Sequence, residues 1–219
     1  MVISISGYWP ALAGACSSMA APGLDWSECT KKNLVIPGSE LEGANLFNAD
    51  LAQTDLSSSN LRSANLEEAT LVRASFAGAK AEKANFAKVE AYRSNFENAA
   101  ADGASFANAE LQRANFSGAQ LKGANFEKAE LGRANFDKAD LKDVRFSLAN
   151  LSRADLRTAK IDGPIVFDRA FMFLTRIEGV DLSAAQGLQQ AQIDLACGDA
   201  KTKLPLGLSA PAGWPCQSE

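Results

Sequence analysis

Residues Glu110 to Phe136 read ELQRANFSGAQLKGANFEKAELGRANF. Within them Ala-Asn-Phe returns every ten residues, whereas Glu-Leu-x-Arg-Ala-Asn-Phe returns only every twenty. A helix repeats its apolar positions every 3.6 residues and a half-buried strand every 2. Neither fits. A period of five with sub-patterns at ten and twenty predicts a coil of short, nearly identical segments.

The period extends well beyond this stretch. Numbered by its central apolar residue, the unit recurs from Leu41 through Leu46, Leu51, Leu56, Leu61, Leu66 and Leu71 to Phe76. It continues through Phe86, Phe96, Phe106, Leu111, Phe116, Leu121, Phe126, Leu131, Phe136, Leu141, Phe146, Leu151 and Leu156 to Ile161, with Ala81, Ala91 and Ala101 as smaller centres. Two residues before most centres stands a small residue, as at Ala44, Ala64, Ala84, Ala114 and Ala134. Side chains two apart in extended backbone point the same way. The small residue and the centre therefore face inward, the residue between them (often Asn) faces water, and the two after the centre form a corner. One such unit cannot bury its apolar side; stacked units can.

Arginine gives the number of units per coil. It occupies the second position after the centre at Arg73, Arg93, Arg113, Arg133 and Arg153. Glu90, Glu110 and Glu130 share that period just before the centre. Four five-residue sides therefore close one turn, and Phe, recurring at ten, falls on two opposite sides with smaller residues on the other two. Alternating large and small residues keeps such an interior filled.

These segments resemble the pentapeptide-repeat family, with its consensus A-(D/N)-L-x-x. GANLFNADLAQTDLSSSNLRSANLEEATL (residues 43–71) and RANFSGAQLKGANFEKAELGRANFDKADL (residues 113–141) match it in residue type and spacing. The resemblance implies an all-β solenoid, a right-handed quadrilateral parallel β-helix, with which the twenty-residue arginine recurrence independently agrees. In frame before Leu41 lie Ile36 and Trp26; Lys31, also in frame, fits poorly and predicts an irregular first coil. After Ile161 one extra residue at Gly163-Pro164 predicts a bulged corner, and Phe167, Met172, Ile177 and Leu182 resume the pattern. The expected organisation is an N-terminal arm over 1–23, the β-helix over 24–183 and a cap over 184–219. In the cap, Leu188, Ala191, Leu195 and Ala196 have helical spacing, and Gly198 stands where a short capping helix would stop. The tail pattern ACGD…T-x-LP…P-x-x-W is similar to one found on bacterial members of the family.

Composition narrows the function. Apolar residues make up 47% and charged residues 22%, as in an ordinary folded protein, and the net charge of -4 is wrong in sign for general nucleic-acid binding. There is no histidine, which removes histidine-based triads, bases and metal ligands. No phosphate-binding glycine loop, zinc spacing or amphipathic membrane helix is present, and no cofactor or metal ligand set is expected. Cys197-Gly198-Asp199 lacks a base and reads as a disulfide or packed thiol. Asn115-Phe116-Ser117 and Asn150-Leu151-Ser152 match the glycosylation triplet, a match this repeat produces readily by chance.

The four cysteines lie outside the clean repeats, Cys16 and Cys29 before them and Cys197 and Cys216 after. One disulfide at each end, and hence an oxidising compartment, is the expectation; four buried thiols are the alternative. The opening MVISISGYWPALAGAC is apolar and lacks a basic residue, consistent either with the remnant of an export signal or with an apolar arm packed on the first coil. It is too short to span a bilayer. Export is thus favoured, with the cytoplasm as alternative.

The expectation is a non-enzymatic structural or protein-binding rod whose partner is another protein, a homodimer included. Its candidate binding stripe is Arg73, Arg93, Arg113, Arg133 and Arg153, with Glu90, Glu110 and Glu130 on the same side placed to offset the stacked charge. The opposing view of that stripe is a salt-bridged, solvated surface copied with each coil. Some family members mimic DNA and bind topoisomerases such as DNA gyrase, and the resemblance makes this the alternative function. Mimicry needs a long acidic surface. Here Glu82 and Asp102 share a side with Lys122 and Lys142, and Glu97 and Asp137 with Ser117 and Arg157.

Overall fold

In the computed structural model, residues 16–216 are described; the expected arm over residues 1–15 and the last residues, 217–219, lie outside them. The described chain is one parallel ladder wound on itself, a right-handed quadrilateral parallel β-helix. Residues twenty apart pair, from Asp25 with Asn45 up to Asp140 with Lys160. Beyond Gly163-Pro164 the offset becomes 21, as in Arg145 with Val166, so the extra residue is absorbed at one corner. We number the sides 1 to 4, with centres at Leu41, Leu46, Leu51 and Leu56 and their equivalents in each later coil.

The unit Asn115–Ala119 shows why five residues suffice. Asn115 N–H donates to Ser94 O (3.0 Å) in the coil below, while Phe116 and Gly118 donate to Asn135 O and Asp137 O (each 2.7 Å) in the coil above. Ala119 N–H closes the corner on Phe116 O at 3.0 Å. The fifth donor, Ser117 N–H, goes to the side chain of Asn115 at 3.1 Å. Every backbone donor has an acceptor, as buried backbone requires. The same local bond forms at Asn65, Asn85, Asn95, Asn125, Asn135 and Asp155. Asparagine before the centre therefore does more than bond along the stack, although it does that too, Asn115 Nδ2 donating to Asn95 Oδ1 at 3.1 Å.

Most corners have a third residue at φ near +60°, the signature of a type II turn. Glycine fits that conformation without strain, as at Gly118 and Gly123, but Arg113 (φ 61°) and Arg133 (φ 60°) adopt it as well.

Two phenylalanine ladders fill the interior. On side 4 Phe96 stacks on Phe116 with centroids 5.0 Å apart, and on side 2 Phe106 stacks on Phe126 at 4.7 Å. Across the core Phe106 meets Phe116 edge-on at 5.5 Å and 86°. Ala81, Ala91 and Ala101 occupy the other two sides where these rings already fill the space. Inward hydroxyls are satisfied: Ser94 donates to Ala91 O and Thr175 to Leu151 O, each at 2.8 Å.

Both ends depart from expectation in instructive ways. The first coil is regular: Lys31 N–H donates to Asp50 O at 2.6 Å like any other centre. Its cation lies 4.0 Å over the Trp26 ring and donates to Cys16 O, so it covers the end of the stack rather than entering it. At the other end the five-residue pattern stops at Leu182, yet pairing continues. Strand β1 (Ile165–Val166) pairs in parallel with β2 (Ala185–Gln186), and Asp181 pairs with Lys203. The helix α1 (Gln190–Leu195) is present, but it buries Gln192 and Ile193, leaving Ala191 and Leu195 exposed. Ile193 plugs the core, and Gln192 Nε2 donates to Phe167 O and Ala170 O (2.8 and 2.9 Å), the first of which also accepts the Ala170 N–H at 3.0 Å.

Phe116→Asp would place a carboxylate in the centre of both ladders, where an unpaired charge is severely unfavourable. The expected result is loss of a single cooperative thermal transition by circular dichroism, and an unchanged melting curve would contradict the inward assignment. Phe116→Ala, which leaves only a cavity, should cost about 3–5 kcal/mol.

Candidate partner-binding face

Side 3 carries the arginines. At each level the backbone places three outward columns: the residue before the centre, and the two after it. The first column holds Glu90, Glu110 and Glu130, which pair in series, Glu90 with Glu110 and Glu110 with Glu130. The last, along the following corner, holds Arg73, Arg93, Arg113, Arg133 and Arg153. Arg93, Arg113 and Arg133 donate their backbone N–H groups to Gln112, Gly132 and Ser152 of the next coil (3.0, 2.9 and 2.8 Å), so the column is continuous. The five arginines predicted to share a side do so.

The expected offset by glutamate is not made directly. Among the described residues no ion pair joins Arg73, Arg93, Arg113 or Arg133 to any carboxylate, and the Arg93 guanidinium instead lies 5.2 Å from the Tyr92 ring centroid. The physical reason is spacing, since the two columns are separated by the buried centre and the residue after it. Other arginines do find partners: Arg62 with Glu82 (3.0 Å), Arg157 with Asp155 (2.6 Å) and Arg176 with Glu178 (2.6 Å).

Toward the C-terminal end side 3 turns apolar. Phe171 continues the glutamate column through Asn150 and is 51% exposed. Phe173 continues the middle column and stacks on Phe171 at 6.4 Å, and Leu195 O accepts the Leu174 N–H above it. Phe173 and Leu195 are 41% and 40% exposed. The repeat pattern marks only the centre Met172 here, and Phe171 and Phe173 flank it. Their places flanking a centre are the signal that makes them outward.

Around Trp26, Lys31 and Ile36, at the N-terminal end, lies an open depression of about 500 Å³. An open depression of about 490 Å³ on side 4 is lined by Asn135, Asp137, Asp155, Arg157, Thr158 and Glu178. Burial pushes the Asp155 carboxyl up, but the hydrogen bonds from Arg157 outweigh it and hold the group below its usual range. Asp155 is thus an ionised, paired carboxylate rather than a proton donor.

The cap shows what its motif does. Cys197 and Cys216 are disulfide-bonded across 19 residues, as are Cys16 and Cys29 across 13. Gly198 is not the helix stop: α1 ends at Leu195 and Ala196 is already extended. Gly198 lies instead against Trp214, whose Nε1 donates to Ala196 O at 2.7 Å. Burial pushes Asp199 up, but backbone donors from Gly179, Lys201 and Thr202 outweigh it and hold its carboxyl below the ordinary value. Lys203 similarly pulls the Asp181 carboxyl down to about 2.

Two family models match this chain. One, described as a pentapeptide repeat region, covers residues 69–146 and 89–164; the other, pentapeptide repeats in eight copies, covers 39–76. The chain belongs to the pentapeptide-repeat family. Among solved structures of this family it is similar to HetL, a protein involved in heterocyst differentiation regulation in the cyanobacterium Nostoc, at 22% identity, 87% coverage of each chain and a TM-score of 0.43. It is also similar to QnrB1, a plasmid-mediated fluoroquinolone resistance protein, at 19% identity, 86% and 91% coverage and a TM-score of 0.46. A pentapeptide-repeat protein from the Arabidopsis thaliana thylakoid lumen matches at 26% identity over 48% of this chain and 66% of its own, with a TM-score of 0.27. No curated protein sequence matches at a significant level. Among the described residues no helix is long and apolar enough to cross a membrane.

Gly198→Ala tests the cap. The new Cβ would lie 2.7 Å from Trp214 Cε3 and nearer still to two other ring carbons, so the indole must move off Ala196 O. The expected outcome is a shifted Trp214 fluorescence maximum and a lower melting temperature. Unaltered emission would show that the ring does not depend on this glycine.

Proposed function

We propose that this pentapeptide-repeat protein is a non-enzymatic, protein-binding rod, that side 3 is its binding face, and that it works in an oxidising compartment. The observation carrying the reading is the coincidence on one side of a guanidinium column, Arg73 to Arg133, that makes no ion pair among the described residues, and an exposed aromatic patch at Phe171 and Phe173. Arginine and aromatic residues are the types enriched where proteins meet proteins. The two disulfides support export, since such bonds persist where the environment oxidises thiols.

The DNA-mimicking alternative gains nothing from the arrangement. It asks for a continuous negative surface, and each side mixes signs, side 3 most regularly of all. An enzymatic reading needs a partly desolvated concavity, which the depression on side 4 does not provide.

Arg93→Glu, Arg113→Glu and Arg133→Glu together test the binding face. Glu68 already sits at φ 63° in this corner position, so the triple variant keeps the backbone conformation. Tagged protein and variant would be compared in chemical crosslinking and affinity capture from native extract, with an untagged second copy counted as a partner. Partners of the unaltered protein should fall at least tenfold with the variant; an identical set would overturn side 3 as the binding face. Compartment is tested separately by thiol labelling of unreduced native protein, which should modify no cysteine. Four reactive thiols would remove the argument for export.

A further inference from the structure

We infer that side 3 binds side 3 of a second copy, the two solenoids lying side by side and parallel about a two-fold axis that runs along their length. This rests on the reading of side 3 as a binding face and names its partner.

The columns carry the inference. At each level the face has a carboxylate on one flank, from Glu90, Glu110 or Glu130, and a guanidinium on the other, from Arg93, Arg113 or Arg133. A two-fold axis along the solenoid exchanges the flanks but keeps the height. Arg113 of one copy then meets the Glu110 level of the other, and the match repeats at every coil in both directions. An axis across the solenoid keeps the flanks instead and sets acid on acid and base on base, where like charges repel. Only the parallel arrangement is complementary, and a two-fold interface must be self-complementary.

Two further features fit the same geometry. Stacked like charges repel along each column, and among the described residues Arg93, Arg113 and Arg133 have no carboxylate ion-paired to them, unlike Arg62, Arg157 and Arg176 on other sides. The opposite column of a second copy supplies that relief. Phe171, Phe173 and Leu195 all lie at the C-terminal end of the face, so a parallel dimer places patch on patch. An antiparallel one would lay it over polar early coils around Thr30 and Asp50. A middle column with no charge between Val72 and Phe173 lies nearest the axis.

Sedimentation of the full chain tests this. The protein should be a dimer at tens of micromolar and low salt, weakened at least tenfold in about 0.5 M salt, where charges are screened within a few ångströms. Two charge variants are informative, E90R/E110R/E130R with an all-basic face and R93E/R113E/R133E with an all-acidic one. Each should be monomeric alone and folded by circular dichroism, and their mixture should form a one-to-one heterodimer. Phe173→Ser, which leaves every charge in place, should weaken the dimer at least tenfold. Spin labels introduced singly at Gln112 and Ser152 should give the same short inter-copy distance, whereas an antiparallel dimer could not make both short. An unaltered protein that stays monomeric at low salt overturns the second copy; arginine-dependent capture of another protein would then still stand. A dimer that survives in either single-column variant alone overturns the face itself.

Discussion

The five backbone donors of each unit constrain everything else. Where Asn or Asp precedes the centre, as in Asn115–Ala119, three go to adjacent coils, one closes the corner, and the remaining one reaches back to that side chain. That last bond explains the residue type at this position: the side chain must accept, and must be short enough to fold back over two residues. Serine at position 75 makes the contact only at 3.5 Å, to Ala77 N–H. Once all donors are satisfied, the chain can turn a right angle every five residues without hiding an unpaired amide. The repeat length thus follows from hydrogen-bond accounting before packing enters.

Packing then fixes which side chains complete a level. Phe rings on sides 2 and 4 stack along the axis and meet edge-on across it, an arrangement aromatic quadrupoles favour by about 0.5–1.5 kcal/mol per pair beyond burial. Such a stack is stable wherever it has neighbours and weak at its ends. The ends carry the polar and covalent devices accordingly. Lys31 covers Trp26, Gln192 donates to two carbonyls of the last coil, Asp199 takes the corner amide of Gly179 at 2.9 Å, and a disulfide ties each terminal segment down. Loops of this size are worth about 3 kcal/mol each when closed in the chain-entropy model.

The periodic part of this structure was legible in the sequence because its side-chain period and hydrogen-bond period are the same number. Arginines at positions 73, 93, 113, 133 and 153 reported the coil length directly, and Gly163-Pro164 the one-residue slip. Where a residue serves contacts between distant segments, the period says nothing. Gly198 looked like a helix terminus because a glycine after an amphipathic run usually is one, yet its smallness accommodates Trp214, sixteen residues on. The helix face was misjudged for the same reason: Ala191 and Leu195 are apolar, but α1 is oriented by the carbonyls that Gln192 must reach. The cysteines were legible as well: one disulfide at each end was the expectation, and Cys16–Cys29 and Cys197–Cys216 are those two bonds.

Side 3 is one of the sides on which residues depart from the repeat's own preferences. Glu90, Glu110 and Glu130 replace the Asn or Asp that would hold the next amide, and their longer side chains do not make that bond. Arg93, Arg113 and Arg133 occupy a left-handed corner that glycine would fill at lower conformational cost, roughly 1–2 kcal/mol for a residue bearing Cβ. Phe171 and Phe173 put rings into water one residue either side of a buried methionine. No one of these substitutions improves the isolated solenoid. Left-handed non-glycine corners occur on the other sides too, as at Lys83, Lys88 and Lys138; what sets side 3 apart is the acidic column in register with a basic one together with the exposed aromatic patch. Copying of a duplicated coil would account for the arginine recurrence alone; it does not account for the aromatic pair that continues the same columns after the repeat sequence has changed.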